Sequence, residues 1–298
     1  MWRSLSGVRE LRPNFRPAHL KKRDKPRHPS GNALPPGAKS ASLPPMAHDD
    51  DHDHVHDENC DHEHGDEEFA EELDEFLGEF QELLGTDPEA AMDLVESVDE
   101  AFAAHPLIRI AHAHAVWMTK GAADARNELE ALVTAEPDFS DAHYALADVY
   151  GELKEDALRV THFLRVLELD EQDDIDSGFD VSEFQGLIVK SAEAALAALP
   201  SPYLERLKDV PVLLEPRPSQ VLVKDGFDPR SLARFEGPTV EAAAGGLSPT
   251  SIILYTANLP AEFEDEEELA SEIEITLLNE IGTYYSLSEE ELDRLGLE

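Results

Sequence analysis

The sequence predicts an α+β protein in three parts: a leader without a packed core, an all-α helical array, and a small α+β domain at the end. Three observations carry this. Apolar residues recur at helical spacing from Glu67 to Asp170. Two short β-branched runs follow, at 210–214 and 252–255, set off by Pro216, Pro218, Asp228-Pro229 and Gly245-Gly246. Residues 273–285 then carry Ile273, Ile275, Leu277, Leu278, Ile281, Tyr284 and Tyr285, which reads as a helix buried on most sides. A length of 298 residues suits two domains, each large enough to hold a core.

The leader spans residues 1–66 and changes character at Met46. Residues 1–45 are rich in Pro, Ser and Gly and hold ten Lys and Arg against two acids, Glu10 and Asp24, so disorder is expected. An apolar signal core is missing, and the Arg and Ser content gives only a loose likeness to an organelle transit peptide. A basic arm for nucleic acid is a second reading. The reading favoured is that translation starts at Met46. Residues 46–66 interleave His48, His52, His54, His56, His62 and His64 with acids and Cys60. Such a tract wraps many divalent ions weakly, with no spacing that fixes a tetrahedral site. The plainer reading is a charged segment that keeps the chain dissolved.

Charge excludes several partners. With ten of the chain's 24 basic residues and two of its 65 acids in residues 1–45, the rest holds 14 basic and 63 acidic side chains, a net charge of −49. That body repels nucleic acid and anionic membrane. Nor does any run of apolar residues reach membrane-spanning length. The single Cys60 excludes an internal disulfide framework, and a cytoplasmic location is expected.

The helical array covers 67–170. Phe69, Leu73, Phe76, Leu77, Phe80, Leu83 and Leu84 form one helical stripe that stops at Gly85, and Asp87-Pro88 opens the next helix. Helices are expected at 107–119 and 122–135, and again at 140–150 and 156–169. The spacing between Pro106 and Pro137 is close to the length of one helical-hairpin repeat. On Tyr144, Leu146, Ala147 and Tyr150, with Ala157 and a closing Leu-Glu-Leu-Asp, residues 140–170 resemble a tetratricopeptide repeat; His143 stands at its usual aromatic position. The resemblance implies stacked hairpins with a surface for a protein or peptide, and Tyr144 and Tyr150 are candidates to line it. His105, His112, His114 and His162 read as ordinary helix residues, because no carboxylate sits at metal spacing beside them.

Residues 171–180 read as an acidic linker, extended by its own charge. The final domain covers 181–298, and its motif is Asn279-Glu280-Ile281-Gly282-Thr283. Asn279 and Thr283 are four apart and share a helix face, the spacing at which two histidines of an HExxH motif grip zinc around a Glu base. Together with strand-like segments at 232–237 and 251–259, the motif resembles the short bacterial zincin-like metallopeptidase family, a minimal HExxH domain. By that resemblance Asn279 and Thr283 stand at the two histidine ligands and Glu280 at the catalytic base. Ser286 stands at a usual glycine, and Glu289 at an acidic third ligand. The family also implies a strand beside the helix that pairs with extended peptide, and Ile252, Ile253, Leu254 and Tyr255 are the candidates.

A neutral amide and a neutral hydroxyl are poor donors for zinc, which wants three strong ligands and an open position. Without metal, Glu280 has only ordinary water to work on. The expectation is therefore a non-catalytic scaffold that binds protein or peptide and needs no cofactor. The alternative is a zinc-dependent metallopeptidase with an altered site, using Glu289 and metal supplied by the leader.

Overall fold

The structure, a computed structural model, describes residues 60–180, 182–238, 249–259, 266–285 and 287. The chain divides into two units, one of residues 20–76 and one of residues 1–19 with 77–298. In the first unit the described part is the opening of helix α1 (Cys60–Thr86), which begins ahead of the expected residue 67 and buries Leu73. Leu77, Phe80 and Leu84 continue the buried stripe within the second unit. No helix among the described residues is long and apolar enough to cross a membrane.

The rest of the array is built from short capped helices. Asp87 accepts a hydrogen bond from the Ala90 amide at 3.1 Å and starts α2 (Pro88–Glu96); Asp99 does the same for the single turn of α3 (Glu100–Ala103). His105 caps α4 (Pro106–Lys120), its Nδ1 accepting from the Leu107 amide at 3.3 Å, with Pro106 in the first turn. Gly121, at φ +106°, makes the whole reversal into α5 (Ala122–Ala135), a conformation that a side chain would strain. Helices α6 (Ser140–Glu152) and α7 (Asp156–Ser177) form the next hairpin, and α5 packs on α6. Ala142, Ala145 and Ala147 are buried on α6, so the neighbouring backbones come close.

The expected linker is not extended. Helix α7 runs on through Ser177, and Gly178 ends it in the left-handed conformation at φ +65°, where the Phe179 amide donates to the Asp174 carbonyl at 3.0 Å. Repulsion among the acids is overcome because Asp170 and Asp174 are paired with arginines from the C-terminal region.

Among the described residues, that region comprises α8 (Ser182–Ala198), α9 (Ser201–Leu207), β1 (Val212–Glu215), α10 (Gln220–Lys224), β2 (Ala233–Glu236), β3 (Ser251–Tyr255) and α11 (Glu266–Tyr285). The strands form one sheet in the order β1-β3-β2. Strand β1 is parallel to β3, with Val212 opposite Ile252, and β2 is antiparallel to it, with Ala233 opposite Leu254. Val212, Leu214, Ala233, Phe235, Ile252 and Leu254 form one face. They pack with Ile188, Ala192 and Leu196 of α8 and Leu269, Ile273, Leu277 and Ile281 of α11. Each fully buried Ile or Leu there contributes roughly 1.5–3 kcal/mol.

Candidate functional site

Helix α11 keeps one stripe out of that core. Ile273, Leu277 and Ile281 are fully buried, whereas Glu267, Ser271, Ile275, Asn279 and Thr283, each four residues apart, are exposed. The two motif positions thus lie one turn apart on the open side of the helix. Glu280 is half-buried at the edge of the stripe.

Its charge reaches Tyr255, the last residue of β3. Tyr255 is completely buried, and its hydroxyl has no hydrogen-bond partner among the described residues. Burial pushes its pKa up to about 12; Glu215, Glu236 and Glu280 add to the rise and Arg234 opposes it. Arg234 pairs with Glu236 on β2, and the Ser251 hydroxyl donates to Glu236 at 3.0 Å. Phe227 lies beside both, with its ring 6.0 Å from that of Tyr255 and 5.8 Å from the Arg234 guanidinium.

The end of β2 is tied to α11. The Tyr284 hydroxyl donates to the Pro238 carbonyl at 3.0 Å, and the Phe235 and Tyr284 rings are 5.4 Å apart. Between them Gly237 sits at φ +147°, and a Cβ there would come within 2.8 Å of the Pro249 backbone. Only glycine fits this crossing.

Zinc, the metal implied by the motif, does not fit this donor set. Asn279 and Thr283 offer a neutral amide and a neutral hydroxyl, and no group of three His, Cys, Asp or Glu side chains among the described residues could hold a metal ion. Glu289 lies outside the described residues. So do His48, His52, His54 and His56; His62 and His64 fall in the first turns of α1, with their side chains equally undescribed.

The structure overturns the expected peptide contacts. Ile252, Ile253, Leu254 and Tyr255 are not a docking edge, because β3 is the central strand, paired on both sides, and all four residues are buried. Tyr144 and Tyr150 do not line an open groove. Tyr144 is buried and donates to Asp228 of the C-terminal region at 2.7 Å; Tyr150 is buried and donates to Glu130 at 2.8 Å. His112 does have a carboxylate partner, Glu128 at 2.7 Å, supplied by the neighbouring helix α5; this hydrogen bond raises its pKa.

A second, unforeseen cluster joins the array to the C-terminal region through the connection between β1 and β2. Val223 of α10 is buried among Tyr144, Ala147, Phe163, Val166 and Leu167 of α6 and α7. Arg217 holds Asp174 through Nε at 2.7 Å and Nη2 at 2.9 Å, and donates from Nη1 to Asn258 at 2.6 Å. Arg230 donates to Asp170 at 2.9 and 3.0 Å, to Asp141 at 2.6 Å and to the Ser140 hydroxyl at 2.7 Å. Four of its five N–H donors are used in these bonds, and its guanidinium lies 5.0 Å from the centre of the Tyr144 ring. The arginines of an otherwise acidic domain were the available signal: Arg217 and Arg230 both sit beside prolines in a loop.

What this fold defines is a small α+β domain in which helix α11 carries Asn279 and Thr283 at i, i+4 spacing beside a three-stranded sheet. The family model described as zincin-like metallopeptidase matches residues 207–297, and the C-terminal region therefore contains a zincin-like metallopeptidase domain. No curated protein and no solved structure matches the chain.

Proposed function

We propose that the chain is a non-catalytic binding scaffold, in which a zincin-like domain without its metal grip is held on a tetratricopeptide-like helical array. One observation supports it above all: both metal-ligand positions of the motif carry neutral side chains, Asn279 and Thr283, on the exposed stripe of α11. Glu280 keeps the carboxylate of a general base but no metal-bound water to act on. Its role in this reading is to hold charge beside the buried Tyr255 hydroxyl. With β3 enclosed and Tyr144 and Tyr150 engaged inside the molecule, this reading takes the α11 stripe as the surface for a protein or peptide, with Ile275, 41% exposed, as its apolar anchor.

The test is metal content and peptidase activity of the full chain with the six leader histidines replaced by Gln, so that the tract contributes nothing. The expected result is trace zinc and no cleavage, with one zinc per chain appearing only in Asn279→His/Thr283→His. Near-stoichiometric zinc in the unmodified motif, lost on Glu289→Ala, overturns the reading and makes the chain an altered metallopeptidase.

A further inference from the structure

In a stack of helical hairpins each hairpin covers the apolar face of the one before it, so the last needs a cover from elsewhere. Helices α4, α5, α6 and α7 pack in that order, and α7 packs in turn on α10, a helix of the zincin-like domain. Tyr144 and Ala147 of α6 and Phe163, Val166 and Leu167 of α7 are buried in one cluster. Val223 of α10 is the one member of that cluster from outside the hairpin among the described residues, and it is completely buried. On the outer side of α10, Gln220, Lys224 and Asp225 are exposed, and Lys224 donates to Gln220 at 3.1 Å; Val221 is the one exposed apolar residue there. An apolar plug with a mostly polar outside is what the end of such a stack requires.

The same end of the hairpin carries Asp141, Asp170 and Asp174, in a body that is short of cations. Arg217 pairs with Asp174, and Arg230 with Asp170 and Asp141. Residues 217–230 therefore cover both the apolar and the acidic part of the end.

The two sides of this contact are not held alike. The connection has supports within its own domain. At its base the Ala257 amide donates to the Pro216 carbonyl at 2.8 Å, and the Tyr255 amide to the Leu232 carbonyl at 2.9 Å. Asn258, buried just past β3, closes the loop from within. Its Oδ1 accepts from Arg217 at 2.6 Å, and its Nδ2 donates to the carbonyls of Pro229 at 2.9 Å and Ser231 at 2.8 Å. One side chain thus fixes the base of Arg217 and both neighbours of Arg230. The Asp228 carboxylate adds to this by accepting from the Arg230 amide at 2.8 Å. The shape that meets α6 and α7 is set by the sheet side.

We propose that residues 217–231 are the cap of the helical array, and that the α6–α7 hairpin depends on the zincin-like domain to close its end. A domain whose last helix has neutral residues at its metal positions still has this task, and the task holds whether or not α11 binds a peptide or a metal.

Hydrogen exchange of the full chain tests the dependence with two substitutions placed in the zincin-like domain. Val223→Ala trims the plug. Asn258→Ala loosens the connection from the sheet side, since the three hydrogen bonds of that side chain all go to the connection. In each variant the amides of α6 and α7 are expected to lose roughly tenfold in protection, with a loss below about threefold in α11. Val223→Ala removes only two methyl groups, so it reports even if the other variant folds poorly. Wild-type protection of α6 and α7 beside a loosened α10 overturns the cap, because the hairpin then stands without it. A loss that is equal in α7 and α11 also overturns it, by showing a general loss of stability, and so does an absence of change in every segment.

Discussion

The junction between α6–α7 and the 216–231 connection contrasts with the exposed stripe of α11. At the junction, Arg217 and Arg230 are largely buried, and each donates to several acceptors within 3.0 Å. On α11, the two positions that would hold a metal are exposed and neutral. Burial makes the difference. An ion removed from water must be paired, so the junction cannot lose one partner cheaply. The stripe faces outward while Ile273, Leu277 and Ile281 hold the other side of the helix in the core, so its ligands can be replaced with little effect on the fold. The architecture of a metallopeptidase domain therefore does not depend on the residues that would make it one.

Mutation gives the most direct way to break that comparison. Arg230→Ala leaves Asp141 and Asp170 facing a vacated cation site, with an expected loss of about 3–5 kcal/mol in urea denaturation. Arg230→Lys keeps the charge but not the fork that reaches Asp170, Asp141 and Ser140 together, and is expected to recover only part of the loss. In the same assay, Asn279→Ala and Thr283→Ala are expected to stay within about 0.5 kcal/mol of wild type. A loss at Asn279 equal to that at Arg230 would show that the stripe is structural after all.

Acid separates the two regions differently, because every histidine from residue 67 onward lies in the array and none follows His162. His114 is buried on α4 and lowered to about 4 by that burial. The folded array therefore binds fewer protons than the unfolded one. The stability His114 contributes is present above about pH 6.5 and is lost as the pH falls toward 4, by about 3 kcal/mol. Melting followed by circular dichroism from pH 7 to pH 4.5 is expected to show this fall in wild type and a shallower one in His114→Leu. His112 runs the other way, since its raised pKa gives stability that is full below about 6.5 and fades at higher pH.

These contrasts also mark what the sequence could convey. The hairpins from Pro106 to Glu152 were legible almost to the residue because Gly121, Pro106 and the apolar period mark their ends, and the shared face of Asn279 and Thr283 followed from spacing; their exposure did not, since the run of apolar residues read as a helix buried on most sides. Strand order was not legible. Residues 252–255 look the same in sequence whether β3 is central or at an edge, and pairing with β1 on one side and β2 on the other is set by contacts remote in the chain. Asp170 and Asp174 looked like a solvated charge run for the same reason: their arginines lie 60 and 43 positions away.

Gly237 tests how firmly the metal-site helix is anchored. Alanine there must adopt a left-handed φ and press its Cβ against Pro249, close to the Tyr284 hydroxyl. The expected cost is about 1–3 kcal/mol. It should be accompanied by loss of the Tyr284 bond to Pro238, seen as faster exchange of the last turn of α11. An unchanged α11 would mean that β2 and the helix are held together elsewhere.

The smallest expected effect concerns Tyr150, a residue whose type and repeat position suggested a peptide groove. Its hydroxyl donates to Glu130 at 2.8 Å, and its ring stacks on His162 at 5.5 Å. His143 donates from Nε2 to the Pro137 carbonyl at 3.0 Å, which leaves the Nδ1 of the neutral ring to accept from His162 at 2.8 Å. Tyr150→Phe keeps the stack and removes only the hydroxyl. Glu130 still has Arg126 at 3.7 Å, so no carboxylate is stranded. The expected cost is about 1 kcal/mol in urea denaturation. Affinity for any peptide that binds the α11 stripe should be unchanged. A tenfold loss of such affinity with no loss of stability would instead place Tyr150 on a binding surface and reverse its assignment to the interior.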